Sequence, residues 1–95
     1  MTRYYFDFEF TGGGYFDHDG SELADDAAAI AHAEADARHI IGDLLKHDRV
    51  VPHRIIVVRN SDRDIVARVY FADIAARLAR QLREAWRTDA RDNKP

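Results

Sequence analysis

Strand-like and helix-like rhythms alternate along this chain clearly enough to place most of its elements. Residues 3–10 read Arg-Tyr-Tyr-Phe-Asp-Phe-Glu-Phe, which puts Tyr4, Phe6, Phe8 and Phe10 on one face and Arg3, Tyr5, Asp7 and Glu9 on the other. A period of two with aromatic enrichment predicts a half-buried strand. Gly12-Gly13-Gly14 interrupts it. Asp19-Gly20 then suits a tight turn, so a short strand or hairpin is expected around residues 15–23. From Asp25 the period lengthens. Ile30, Ala33, Ala37, Ile40, Ile41 and Leu44 recur at spacings of three and four, the stripe of a helix of about 20 residues. Asp25 or Asp26 is its expected cap, and it ends near His47.

The second half repeats the sequence of rhythms. Ile55, Ile56, Val57 and Val58 are apolar on both faces, as in a strand covered on both sides. Ile65 to Phe71 alternates again, and the polar run Asn60-Ser61-Asp62-Arg63-Asp64 between the two predicts a β-hairpin. Asp73 is the expected cap of a last helix whose stripe is Ile74, Leu78, Leu82, Ala85 and Trp86. The predicted class is α+β, in the order β-(β)-α-β-β-α, with a sheet of three or four strands and one helix packed on a face. Residues 1–73 form the compact body. Residues 74–95 form a C-terminal amphipathic helix and frayed tail within the same single domain.

Length and composition narrow the picture. Ninety-five residues make one domain, and a chain this short buries only about 60–65% of its unfolded surface. There is no cysteine, which excludes disulfides and thiolate metal sites and suits a reducing compartment. Met1 leads straight into the first strand pattern without the apolar stretch of about 7–15 residues that a signal peptide carries. No apolar run approaches the roughly 20 residues of a membrane span. A soluble, cytoplasmic protein with no membrane partner is expected.

Marginal size and a doubly apolar strand together ask for extra cover. Either the last helix folds back over the second face of the sheet or a second subunit does. Ile74, Leu78, Leu82 and Trp86 are the expected dimer contacts, because burying each such side chain is worth about 1.5–3 kcal/mol.

The net charge of −3 is unevenly spread. Residues 1–50 carry 4 basic and 11 acidic side chains, whereas residues 74–95 carry 6 and 3. Arg80, Arg83, Arg87 and Arg91 line one face of the last helix, with Arg77 close by. Such a row is first of all the solvated face opposite the apolar stripe; it can also pair bidentately with carboxylates of the acidic half or of a partner, or meet nucleic-acid phosphates. Interleaved Glu84, Asp89 and Asp92 and the scarcity of lysine place protein partners ahead of nucleic acid.

Candidate chemistry is sparse. Asp17-His18-Asp19-Gly20-Ser21-Glu22 offers oxygen ligands but not the spacing of a calcium loop, so a solvated turn is the expectation. His32, His39 and Asp43 share a helix but form no His-Glu-x-x-His motif. The glycine triplet lacks the helix and lysine of a phosphate loop. Ser21 and Ser61 have no nucleophile context. The reading is of a non-enzyme without catalytic, cofactor-binding or metal residues.

Arg3-Tyr4-Tyr5-Phe6-Asp7, then Asp17, Gly20 and Glu22-Leu23 before an alanine-rich helix, then Ile55-x-Val57, Val66 and Phe71, resemble a group of short bacterial proteins catalogued as a domain of unknown function. The resemblance spans residues 3–72 and implies a compact α+β domain with no activity to carry over. A looser similarity is to small antitoxin domains that neutralise RNA-cleaving toxins, which implies a protein partner. The expected function is thus a protein-interaction module acting as a homodimer. The alternative is a nucleic-acid-binding regulator that uses the arginine row.

Overall fold

The computed structural model describes residues 1–92. Its elements run β1 (Thr2–Phe10), β2 (Gly13–Tyr15), β3 (Ser21–Leu23), α1 (Asp26–Lys46), β4 (Arg54–Arg59), β5 (Ile65–Tyr70) and α2 (Phe71–Asp92). The α+β class stands, but the sheet has five strands rather than three or four. The order is β2-β1-β4-β5, all antiparallel, and β3 also pairs with β1. Where a short strand or hairpin was expected around residues 15–23, β2 starts earlier, at Gly13, and β3 follows at Ser21; they pair with β1 at Phe8–Phe10 and at Thr2–Tyr4.

Between those two pairings the edge of β1 is completed by a side chain. The Phe6 amide donates to Asp17 Oδ2 (3.1 Å), and Asp17 Oδ1 accepts from the Gly20 amide (3.0 Å). A carboxylate thus takes the place of a ladder carbonyl where no strand reaches. Gly20 sits at φ +70°, and a Cβ there would lie 2.7 Å from the Tyr4 carbonyl oxygen, so both conformation and space demand glycine.

Helix α1 starts where its acidic cap dictates. The Asp25 side chain accepts from the Ala28 amide (2.8 Å). It ends in a Schellman turn: the Arg49 amide reaches the Leu44 carbonyl and the Asp48 amide reaches that of Leu45, with Asp48 at φ 55°. Its most buried positions are Ala29, Ala33, Ala37 and Ile41, while Ile30, Ile40 and Leu44 are half-buried. The stripe is rotated toward the alanines because small side chains let the helix settle close to the sheet.

The hairpin turn is held by Asn60, whose Oδ1 accepts from the Asp62 and Asp64 amides (3.0 Å each). Helix α2 follows β5 with no intervening loop, so Asp73 lies in its first turn rather than capping it. Phe71 and Ile74 enter the core formed by Tyr4, Phe6, Ile41, Ile56, Val58 and Val69. Both helices therefore cover one face of the sheet, and α2 does not fold back over the other. On that other face Val57 stands between its register partners Asp7 and Arg68 and is still only 1% exposed. Among the described residues neither helix lies over that face.

Candidate protein interface

Exposure along the stripe of α2 falls into two halves. Phe71 and Ile74 are buried and Leu78 is packed against the core, whereas Leu82 is 68% and Trp86 75% exposed. Of the four residues expected at a dimer contact, Ile74 is thus spent on its own subunit. Leu78 is half spent, and Leu82 and Trp86 are open. Large exposed apolar side chains on one contiguous stripe mark an interaction surface more than isolated ones do. The molecule measures 59 × 32 × 17 Å, the proportions of a thin two-layer body with a helix reaching past it.

The opposite side of α2 carries the arginines. Arg77 pairs with Glu34 of α1. Arg80, Arg83 and Arg87 are exposed and form no hydrogen bond or ion pair among the described residues. The side chain of Arg91 lies outside the described residues. The Arg77–Glu34 pair realises the attraction between the basic end and the acidic half of the chain within one subunit.

A second cluster lies across the outer face of the sheet and was not legible as a unit in the sequence. Asp7, 4% exposed, accepts from Arg59 Nε through Oδ2 (2.9 Å) and from the Asp17 amide through Oδ1 (2.9 Å). Arg59 also donates to the Arg63 carbonyl (3.0 Å), and the Arg63 guanidinium lies 3.9 Å from the Tyr5 ring centroid. Arg3 donates to the Asp19 carbonyl (2.6 Å) and to Glu22 (3.3 Å). The turn expected at 17–22 is thereby anchored to β1. The Asp17 carboxylate is engaged with backbone amides and that of Glu22 with Arg3.

The histidines are dispersed. His32 lies 3.5 Å from Asp36 and packs its ring on Phe6, and His47 Nδ1 sits 2.9 Å from the Asp43 carbonyl. Among the described residues, no three His, Cys, Asp or Glu side chains converge as a metal site would require. Glycines 12–14 lie in the β1–β2 turn and β2. Among the described residues no helix is long and apolar enough to cross a membrane.

Among the described residues the Tyr4 hydroxyl is strongly perturbed. The Tyr4 hydroxyl donates to Asp26 Oδ1 (2.6 Å), and that hydrogen bond, with burial and the charges of Asp26 and Asp25, pushes its pKa from 10.0 to about 12. Because the folded value lies above the unfolded one, the contribution is complete below pH 10 and lost as the pH rises toward 12. Ultraviolet titration should show one tyrosine ionising near 12. Tyr4→Phe should remove that transition and flatten the alkaline loss of stability. An unchanged alkaline transition in Tyr4→Phe would disprove the assignment.

The first strand, the 17–23 turn, α1 and the hairpin together are what the family comparison matches. A family model described as a domain of unknown function (DUF6894) covers residues 3–72. The chain belongs to this family. No curated protein and no solved structure matches the chain, so the likeness to antitoxins finds no support there. The DUF6894 match ends at Ala72, one residue after the body hands over to α2. The anchored residues Arg3, Asp7, Asp17, Gly20 and Glu22 therefore fall within the family's domain. Leu82, Trp86 and the arginine row fall beyond it.

Proposed function

We propose that this DUF6894 protein is a cytoplasmic, non-enzymatic protein-interaction module that acts as a homodimer. The observation that carries the reading is the pair Leu82 and Trp86, exposed on the same stripe whose first half builds the core. Leaving two such side chains in water forgoes about 1.5–3 kcal/mol each, which a partner recovers. Size-exclusion chromatography with light scattering should give twice the 10.9 kDa chain mass, with no nucleic-acid absorbance. Leu82→Ser/Trp86→Ala should run as a folded monomer. A wild-type monomer at 100 μM, about the highest concentration at which a weak specific dimer would escape notice, sinks the reading.

Nucleic-acid binding is the second reading, favoured by Arg80, Arg83 and Arg87, which are exposed on one side of α2. If phosphates were the ligand, affinity would fall steeply between about 50 and 200 mM salt, and replacing the three arginines would flatten that slope by about three phosphate contacts.

A further inference from the structure

We infer that the free edge of β5 takes up a short extended strand of another protein, one that carries an acidic residue between two apolar ones. β5 is the last strand on its side of the sheet. Beyond the β4 ladder, no hydrogen bond among the described residues reaches the backbone of Ala67, Arg68 or Val69. The outward N–H and C=O groups of such an edge alternate at the strand's own repeat, and an added strand is the partner whose spacing matches them. The bulge at Val66, where Val58 and Arg59 pair with Ala67 and Ile65, limits the regular edge to Ala67–Tyr70. The opposite edge of the sheet offers less, since β2 is three residues long.

Side chains along that edge set what the strand must carry. A cleft of about 170 Å³ is lined by Ala67, Arg68, Val69 and Tyr70 in succession, with Ile30 of α1 and Ile74 of α2. A space over one face of a strand touches alternate residues, so contact with four in a row places this one along the edge. Ala67 and Val69 stand opposite Val58 and Ile56 of the core, so with the two isoleucines they give the helix side an apolar floor. A cavity of about 150 Å³ holds a benzene-sized group, so there is room for an apolar side chain of the added strand. Glu34 and Asp73 also line the helix side, which sends an acidic residue of that strand to the outer face. There Arg68, opposite Val57, is exposed and forms no hydrogen bond or ion pair among the described residues. A carboxylate directly across from it completes a cross-strand ion pair, whereas a lysine is repelled. Apolar, acidic, apolar is the pattern that suits both faces.

Fluorescence anisotropy with a labelled peptide, Thr-Val-Glu-Val-Thr, tests this. The sequence reads alike in both directions and so fits a parallel or an antiparallel addition. Its twin with Lys in place of Glu should bind about five- to tenfold more weakly, and Arg68→Glu should reverse that order. Backbone N–H groups point alternately to the two sides of a strand. N-methylation of the Glu residue and N-methylation of the two Val residues should therefore differ, one abolishing binding and the other leaving it. Leu82→Ser/Trp86→Ala should bind the peptide as the wild type does, so this inference goes beyond the homodimer reading and stands or falls apart from it. Absence of binding at about 1 mM peptide, where even a weak specific contact registers, would overturn it. So would an unchanged preference in Arg68→Glu, or equal losses from the two methylation patterns. A dimer that persists in Leu82→Ser/Trp86→Ala and excludes the peptide would also overturn it, because the edge would then belong to a second copy.

Discussion

Phe71→Ala should lower the stability of the domain by about 3–5 kcal/mol, the range for deleting a fully buried phenylalanine without collapse of the site. Phe71 is the largest of the fully buried side chains and sits where β5 passes directly into α2. It therefore fills the core and pins the first turn of the helix to the sheet. A chain of this length has only about 5–14 kcal/mol to lose, so the variant should lie close to its unfolding threshold at 25 °C. Urea unfolding followed by far-ultraviolet circular dichroism measures the effect. Phe71→Leu, which keeps most of the volume, should cost less than about 1.5 kcal/mol. Equal midpoints for Phe71→Ala and the wild type would show that α2 does not depend on this anchor.

The second large effect is electrostatic. Removing Arg59 leaves the Asp7 carboxylate, almost wholly buried, with the Asp17 amide as its one remaining partner among the described residues. Breaking a buried pair from one side typically costs about 3–5 kcal/mol. The Arg59 side chain is 26% exposed, so water relieves part of that, and about 2–4 kcal/mol is expected for Arg59→Ala. Arg59→Lys should recover some of the loss but not the second contact, to the Arg63 carbonyl. In Asp7→Asn/Arg59→Ala the penalties should not add, because the charge left unpaired by one change is removed by the other. A coupling of about 1–3 kcal/mol is expected from the cycle. Strict additivity would show that the pair contributes nothing beyond its separate packing.

That second prediction rests on a contact spanning 52 residues of sequence, and it marks the limit of what periodicity can reveal. Asp7 reads from sequence as the polar, outward half of an alternating strand, and it is indeed on the outward face. Its burial follows from β4 lying alongside, which places Val57 directly opposite and Arg59 within reach. The same pairing sets Val57 between Asp7 and Arg68, where it is only 1% exposed with no described helix over it. The fifth strand was equally invisible, because Gly13–Tyr15 and Ser21–Leu23 are three residues each and both take their strand pairing from the edge of β1.

Local chemistry by itself determined the elements that need no distant partner. The aromatic alternation of β1, the Asp25 cap and alanine-rich body of α1, the Asn60 turn and the single stripe of α2 each follow from spacing and side-chain type within one segment. The tertiary structure decided how each element spends its apolar face. It turned α1 onto its alanines and buried Asp7 beside Arg59. It also drew Ile74 into the core while leaving Leu82 and Trp86 outside. The physical reason is that periodicity records which side of an element is apolar, whereas burial depends on how far the neighbouring elements extend. The sheet ends before α2 does.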